Sequence, residues 1–358
     1  MNLLRKIPGV FLITLITVVA ASAQEKKALE LTDLMKFRQI QSPLISENGD
    51  WVAHAAVPDR GDPEVLVYST NGKQKFAIPL GKSPVISANG RWVAAVQSVP
   101  AEKLLKAKPG KAKEQKTGMV LLNTSTGDQK VFEEVKSFSF SNNSQWLIYH
   151  SAAKPGNTHG DKKAEENGKT AEPGSTLNLL NLEEGYTDSL NFVSSFALDS
   201  LSRQLAYVVA DSNSMANGIF VYDLSVPGTT PASLYADSSA WADYLSWNNR
   251  SGQLAFLGGV TDEKNRKNEA ELFLWETGKE TADVVLRDGD LEAGWKVYPT
   301  NQLQWSKDGK RLFVGIKPAS EISLPEEEKP DSLIHIFSEE DILSGRTVDV
   351  WHWDDPYI

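Results

Sequence analysis

The sequence predicts an all-β protein, a β-propeller in which about six four-stranded blades are visible. The first observation is a repeat: ISENGDWVA at 45–53 returns 41 residues later as ISANGRWVA at 86–94, and a looser copy, FSNNSQWLI, lies at 140–148. The second is that short apolar runs bounded by Gly, Asn, Asp and Ser follow every copy, which is typical of β-strands. One strand-rich unit stacked several times is the pattern of propeller blades.

Each unit follows one plan of four strands. The repeated motif opens into a β-rich run such as WVAHAAV, and a polar connection leads to a second run that ends in a turn, as in VLVYSTNG at 65–72. A third run, such as KFAIPL, precedes a fourth that leads back into the motif. Asn-Gly at 48–49 and 89–90 and Asp-Gly at 308–309 are expected to supply the positive-φ positions of tight hairpin turns.

Three weaker copies extend the repeat: LDSLSRQLAYVV at 198–209, WNNRSGQLAFLG at 247–258 and WSKDGKRLFVGI at 305–316. An alignment of the copies places one aromatic or leucine side chain at the end of each motif, namely Trp51, Trp92, Trp146, Leu205, Leu254 and Leu312. The visible copies leave open a larger ring of about seven or eight blades. A pair of β-sandwiches is the alternative fold, but sandwich strands need not repeat one another.

Residues 1–23 have the layout of a secretory signal peptide. Arg5 and Lys6 precede the apolar run IPGVFLITLITVVA, and small residues lead to a cleavage site after Ala23. The alternative is a membrane anchor, but this run of about 14 residues is shorter than the ~20 that span a bilayer. We therefore expect an exported protein, periplasmic or extracellular, with no membrane attachment once the signal peptide is removed.

Residues 24–45 are expected to form a lead-in with one short helix, capped by Thr32 or Asp33, and residues 46–358 to form the blades. Three connections are long and polar: 101–116, which carries six Lys against two Glu, 151–175 and 318–332. They leave their blades at the same point, so they are expected to project from one face and to guard an entrance. The alternative interpretation is that they are solvated loops.

The composition disfavours several classes of function. A net charge of −10 at pH 7 disfavours nucleic-acid binding, because a polyphosphate would meet a surface of like sign. The chain has no cysteine, which excludes disulfides, thiolate metal sites and a lipid anchor on cysteine. Export without cysteine suits a bacterial periplasm.

No catalytic, cofactor-binding or metal-ligating residue is predicted, and no cofactor is expected. None of the five histidines forms a metal-type pair at short spacing, and the chain has no Gly-x-Ser-x-Gly nucleophile elbow. The segment LGKSP at 80–84 resembles the end of a phosphate-binding loop but lacks its first glycine, so it is interpreted as a turn between blades. Asp288-Gly-Asp290 and Asp59-Arg-Gly-Asp62 have too few oxygen ligands for a calcium loop.

Three segments carry a resemblance to a known family: LTDLMKFRQIQSPLISENGDWVA at 31–53, WSKDGKRLFVGI at 305–316 and DVWHWDDP at 349–356. With them, the chain resembles the N-terminal β-propeller of exported bacterial serine peptidases of the prolyl oligopeptidase family, which includes dipeptidyl and acylaminoacyl peptidases. The resemblance covers nearly the whole chain after residue 23. The blade motif is the weaker part of it, since many propellers share that motif.

The resemblance implies that the catalytic Ser, Asp and His lie in an α/β-hydrolase domain beyond Ile358, because no position here matches the family's catalytic motifs. It also implies that the propeller limits the peptide substrates that reach the active site. Trp351 and Trp353 lie close to the last residue with no polar tail, which is typical of a chain that continues. The alternative, from another class, is a self-standing periplasmic TolB-like propeller that binds a protein or ligand without catalysis.

Overall fold

The computed structural model describes residues 30, 33, 37–106, 117–151, 173–211, 217–236, 240–260, 267 and 269–319. The chain divides into two compact units, unit 1 (Met1–Phe140) and unit 2 (Ser141–Ile358). Strands dominate the described part of both units. Within that part, no helix has the length and apolar character needed to cross a membrane.

Unit 1 contains two four-stranded antiparallel sheets whose strands pair in chain order. The first holds β1 (Arg38–Ile45), β2 (Trp51–Pro58), β3 (Glu64–Ser69) and β4 (Lys75–Pro79). The second holds β5 (Gly81–Ile86), β6 (Trp92–Gln97), β7 (Gly118–Asn123) and β8 (Gln129–Phe132), and the strand β9 (Val135–Phe140) follows it. A short helix, α1 (Ala101–Lys106), begins the connection from β6 to β7.

The middle strands of both sheets supply the core of unit 1. Val65 and Val67 of the first sheet share one buried cluster with Val93 and Leu122 of the second. Side chains alternate between the two faces of a strand, so one set of alternate residues on each middle strand meets the neighbouring sheet. The two sheets therefore pack face to face, as neighbouring propeller blades do. In contrast, β1 is exposed along almost its whole length.

Unit 2 has six strands that pair antiparallel in chain order: β10 (Trp146–Ser151), β11 (Ser175–Asn181), β12 (Thr187–Leu198), β13 (Gln204–Val209), β14 (Gly218–Asp223) and β15 (Ala232–Ala236). A separate four-stranded sheet follows: β16 (Ala240–Trp247), β17 (Gln253–Val260), β18 (Glu271–Glu276) and β19 (Asp283–Leu286). After a 3-10 helix at Asp288–Asp290 come two short pairs, β20 (Trp295–Val297) with β23 (Ile316–Pro318) and β21 (Gln304–Trp305) with β22 (Leu312–Phe313).

Strand β13 shows why these sheets stack. Leu205 and Tyr207 join one buried cluster with Trp146 of β10. Ala206 and Val208, which alternate with them, join a second cluster with aromatic residues of β17 and β18. A middle strand that is apolar at successive positions is thus covered on both faces, which requires a sheet on each side.

β12 belongs to two pairings without an intervening loop. Its first half, from Thr187 to Val193, pairs with β11, and its second half, from Val193 to Leu198, pairs with β13. The backbone turns at Phe192, whose φ is +57°. Leu80 and Glu134, with φ of +60° and +54°, lie at the corresponding crossings from β4 to β5 and from β8 to β9.

The predicted fold class is confirmed: the described chain contains three four-stranded antiparallel sheets of the propeller-blade type, beside the longer sheet that includes β10–β15. The lead-in predicted for 24–45 contributes a strand, because β1 pairs with β2 from Arg38↔Pro58 to Ile45↔Val52, so the first sheet begins at Arg38. Its exposed side chains lack the apolar alternation by which a strand is recognised in sequence. In the predicted helix Asp33 is helical, and Thr32 lies outside the described residues.

The alignment of the later motif copies was wrong by one residue. In the first three copies the tryptophan is the first residue of its strand. Gln204 and Gln253 hold that place in the fourth and fifth copies, so Leu205 and Leu254 lie one residue further along. The alignment had matched the buried leucine at the second position of these strands with the tryptophan at the first position of the earlier ones. The signal peptide, the 318–332 connection beyond residue 319 and DVWHWDDP lie outside the described residues.

Candidate functional site

The two ends of the sheets differ in their connections. In an antiparallel sheet whose strands pair in chain order, successive connections lie at opposite ends. The end that carries the repeated motif, between the first and second strands of each sheet, is termed the turn end. The opposite insert end carries the connection from the second strand to the third, which spans 98–117 between β6 and β7. The motif turn between β1 and β2 spans only 46–50.

At the turn end, polar side chains hold the turns closed. Ser46 Oγ donates to Asn48 Oδ1 at 2.6 Å and accepts the backbone N–H of Trp51 at 3.0 Å. The same two hydrogen bonds recur in the copies that begin at Ser87, Ser141 and Ser306. Each serine hydroxyl therefore accepts a backbone N–H of the strand that follows the turn, and the repeated motif stabilises the turn.

Neighbouring turns are also joined to one another. Asn48 Nδ2 donates to the carbonyl of Asn89 at 3.0 Å, and Asn248 Nδ2 donates to that of Gly309 at 2.9 Å. A cleft of about 360 Å³ lies between Arg250 and Lys307 at this end of unit 2. Its amide and hydroxyl lining groups Asn248 and Ser306 are engaged in turn hydrogen bonds, so we assign no ligand to it.

The insert end of unit 1 contains a cavity of about 410 Å³. Its lining combines apolar, hydroxyl, amide and charged side chains: Leu80, Gln97, Ser98, Val99, Pro100, Lys103, Thr117, Gly118, Glu133 and Glu134. Leu80 and Glu134 are the positive-φ residues of the two sheet crossings described above. The crossings and the start of α1 together shape the cavity, which offers both hydrogen-bonding partners and charges.

The insert end of unit 2 carries a cluster of aromatic and charged side chains, termed the Asp243 cluster: Ser195, Trp241, Asp243, Tyr244 and Lys267. Lys267 Nζ lies 3.4 Å from Asp243 Oδ2. The same atom lies 4.6 Å from the ring centroid of Trp241 and 5.6 Å from that of Tyr244. Ser195 Oγ donates to Asp243 Oδ1 at 3.2 Å. A cation is thus held by two rings and one carboxylate.

A β-bulge allows two neighbours in sequence to face the same cation. Consecutive strand residues normally point to opposite faces, but the pairing of β16 with β17 shifts between Asp243 and Ser246. Tyr244 has a φ of +59°, and its backbone N–H donates to Asp243 Oδ1 at 2.9 Å. Burial, with the Asp243 carboxylate as a smaller cause, raises the pKa of Tyr244, which keeps its hydroxyl neutral.

A second group of tyrosines belongs to the core. Tyr222 donates its hydroxyl hydrogen to Asp188 and accepts the backbone N–H of Gly228 at 2.7 Å. Burial, followed by the hydrogen bond to Asp188, raises the pKa of Tyr222 to about 12. Burial also raises the pKa of Tyr207 in the same cluster. Neither tyrosine lines the cavity of unit 1 or the cleft beside Arg250.

The acidic segments considered as cation ligands make structural hydrogen bonds. Asp288 Oδ1 accepts the backbone N–H of Val297 at 2.8 Å, and Asp62 Oδ1 accepts that of Ala101 at 2.7 Å, at the start of α1. Among the described residues, no group of three His, Cys, Asp or Glu side chains has metal-binding geometry. Of LGKSP, which was predicted as a turn between blades, only Leu80 lies between β4 and β5, and the other four residues begin β5.

The described histidines also have structural partners. His54 stacks on Tyr68, with 5.9 Å between ring centroids. His150 is buried, and its Nδ1 lies 2.9 Å from Ser175 Oγ. His159, His335 and His352 lie outside the described residues. Sequence reasoning missed the Asp243 cluster; the one local signal was an aspartate between two aromatic residues in WADY.

No protein-family model matches the chain, and no curated protein matches it. Solved structures that are similar include the β-propeller domain of the trilobed protease from Pyrococcus furiosus, at 14% identity and a TM-score of 0.40, covering 79% of this chain and 83% of that one. Acylaminoacyl peptidase from Pyrococcus horikoshii matches at 11% identity and a TM-score of 0.39, covering 75% of this chain and 41% of that one.

A structure described as the eukaryotic initiation factor matches at 14% identity and a TM-score of 0.43, covering 82% of this chain and 64% of that one. This chain spans about two fifths of the peptidase chain from Pyrococcus horikoshii. At these identities and TM-scores, the likeness to the solved structures concerns the fold alone.

Proposed function

We propose that this chain is the non-catalytic β-propeller part of an exported serine peptidase of the prolyl oligopeptidase family, and that it controls which peptides reach an α/β-hydrolase active site. The observation that carries the proposal is the difference between the two ends of the sheets. Turn hydrogen bonds engage the serine and asparagine side chains of the turn end, whereas in unit 1 the insert end holds a cavity and in unit 2 it holds the Asp243 cluster. Rigid scaffolds place their recognition groups on such variable connections.

The chemistry of the insert end suits a peptide. A peptide backbone presents N–H and C=O groups, for which Gln97, Ser98 and Thr117 offer amide and hydroxyl partners in the cavity. Lys103 and Glu133 add charges of both signs for side chains or termini. A lining of this kind discriminates between peptides by charge and contact without taking part in bond cleavage.

The reading frame beyond codon 358 tests the domain arrangement. An open frame that reaches a Gly-x-Ser-x-Gly turn followed by Asp and His supports the proposal. A stop codon directly after Ile358 would overturn it, and the self-standing TolB-like binding propeller would take its place.

Gating is tested in the enzyme that the full frame encodes. Glu133→Lys reverses an exposed charge at the insert end, and Lys310→Glu reverses an exposed charge at the turn end as the matched control. We expect Glu133→Lys to change kcat/KM for charged peptides several-fold and to leave hydrolysis of a small p-nitrophenyl ester unchanged. Lys310→Glu should change neither. A peptide effect that is equal for the two variants, or equal for peptide and ester, would contradict selection at the insert end.

Export is a separate part of the proposal, supported by the layout of residues 1–23. N-terminal sequencing of the protein from a periplasmic or secreted fraction should begin at Gln24. A cytoplasmic protein that keeps Met1 or its following residues would contradict export.

A further inference from the structure

We propose that Trp241, Tyr244 and Asp243 form a binding site for an aliphatic ammonium ion, which Lys267 of the same chain fills in this structure. The inference begins from the surroundings of Lys267 Nζ. Two aromatic rings lie 4.6 and 5.6 Å away by centroid, and Asp243 Oδ2 lies 3.4 Å away. Aromatic faces and a carboxylate are the groups that recognise alkylammonium ions in proteins.

No other lysine in the described part of the chain has this combination. Lys75, Lys130 and Lys317 each lie over a single ring, at 5.2, 5.0 and 4.1 Å from its centroid. None of those three forms an ion pair with a carboxylate among the described residues. The arrangement around Lys267 is therefore more than the chance contact of a surface lysine with one ring.

The side chains around the ammonium group are held by contacts that do not involve Lys267. Trp241 is only 8% exposed, and its ring lies against the backbone of β17, where a Cβ on Gly259 would come within 3.2 Å of Nε1. Ser195 Oγ and the Tyr244 N–H both donate to Asp243 Oδ1, which leaves Oδ2 directed to the ammonium. None of these contacts depends on Lys267, so its removal leaves rings and carboxylate in place.

Buried Trp241 has a polar atom that the fold does not satisfy. Its indole Nε1 has no hydrogen-bond partner among the described residues, although it is shielded from solvent. An unpaired buried donor costs stability, so its presence in this ring calls for an explanation.

The internal lysine is a replaceable occupant. The side chains of Lys267 and Asp243 are 33% and 37% exposed, so solvent screens their ion pair and the contact is weak. A tethered group competes at an effective concentration in the millimolar range. If Lys267 occupies the site about half of the time, its removal raises the apparent affinity for a free ammonium ion about twofold.

Two peptide groups present this chemistry, the side chain of lysine and an amino-terminal α-ammonium. As recognition of a peptide, the inference rests on the proposed function; as an ammonium site, it rests on the Asp243 cluster alone. The test uses butylammonium as the probe for a lysine side chain and glycinamide as the probe for an amino terminus. Both bind, or fail to bind, without any hydrolase domain, so failure here is distinguishable from failure of the proposed function.

The experiment titrates each probe into the full chain and into Lys267→Ala, followed by ligand-observed NMR. We expect Lys267→Ala to bind one of the probes about twofold more tightly than the parent chain. Asp243→Asn in the Lys267→Ala background should lose most of that gain. Lys75→Ala, which removes a cation from the single ring of Tyr68, is the matched control and should bind as the parent chain does.

The stronger probe identifies the source of the ammonium group. An equal and weak response of Lys267→Ala and Lys75→Ala to both probes would overturn the proposal, provided that both variants keep the circular dichroism spectrum of the parent. A gain in Lys267→Ala that survives Asp243→Asn would also overturn it, because the carboxylate would then take no part in binding.

Discussion

The turn end and the insert end of the sheets use the same residue types differently. At the turn end, serine side chains bond to the backbone of their own hairpin, as Ser46 does with Trp51, and asparagine side chains bond to the neighbouring turn, as Asn48 does with Asn89. At the insert end, Ser195 and Asp243 bond across two strands and support Lys267. The polar side chains of the turn end hold backbone in place and serve the fold. Those of the insert end hold the ammonium group of Lys267.

This difference predicts that substitutions at the turn end change stability and that substitutions at the insert end change binding. The largest effect is expected for Trp146→Ala, because Trp146 is 2% exposed and packs edge-on against Tyr186 at 5.8 Å. Removal of a buried indole should lower the free energy of unfolding by about 3–5 kcal/mol. Trp92, at the same place in its motif, is half-buried, so Trp92→Ala should cost less. Urea unfolding followed by circular dichroism measures both losses. Equal losses for the two variants would contradict the role of burial at this position.

Two glycine substitutions distinguish the cost of a positive φ from the cost of crowding between neighbouring turns. Gly49 and Gly90 have φ of +74° and +70°, but only a Cβ on Gly90 would meet neighbours, at 3.0 Å from Asn48 Oδ1 and Trp51 Cδ1. We expect Gly49→Ala to cost about 1 kcal/mol and Gly90→Ala about 2 kcal/mol. Thermal unfolding of the two variants gives the difference. A larger loss for Gly49→Ala would contradict the contact between neighbouring turns.

The raised pKa of Tyr222 predicts how the stability of the fold depends on pH. Its pKa in the folded chain, about 12, lies above the ordinary value near 10, so the unfolded chain loses this proton first as pH rises. The stabilisation that Tyr222 provides is therefore complete below pH 10 and is lost as pH rises through its folded pKa. We expect the free energy of unfolding of Tyr222→Phe to fall less steeply between about pH 10 and 12 than that of the parent chain. Parallel pH profiles would contradict the assignment.

The smallest effect on stability is expected at the insert end. Lys267→Ala removes an ion pair that is about a third exposed, and such pairs contribute little. The free energy of unfolding should change by about 0.5 kcal/mol or less. Calorimetry of the variant beside the parent chain checks this value. A loss as large as that of Gly90→Ala would mean that Lys267 serves the fold, and the insert end would no longer differ from the turn end.

The fold was readable from the sequence because its information is local. Each Ser-x-Asn-Gly turn has its hydrogen-bond partners within five residues, so the motif predicts a hairpin wherever it occurs. The strand β1 was placed in the lead-in and not in the first blade, because its exposed side chains lack the apolar alternation of a typical strand. The later copies were misaligned because a buried leucine follows the polar residue that opens the strand.

The candidate site was not readable, because its information is distant. Asp243 meets Ser195 across 48 residues and Lys267 across 24, through connections whose lengths differ from blade to blade. The bulge that turns Tyr244 toward the same cation has no glycine or proline to mark it. The pairing of β16 with β17 and the packing of β12 against β16 bring these groups together.

The continuous backbone of β12 leaves a protease no connection to cut between the strands on its two sides. Because each half of β12 donates to a different partner strand, opening of either pairing exposes amides of the same segment. Amide hydrogen exchange in β11, β12 and β13 should therefore proceed with a common opening free energy, whereas the separate sheet β16–β19 can open on its own. In a protein built of repeated sheets, β11, β12 and β13 thus form one cooperative unit of local unfolding.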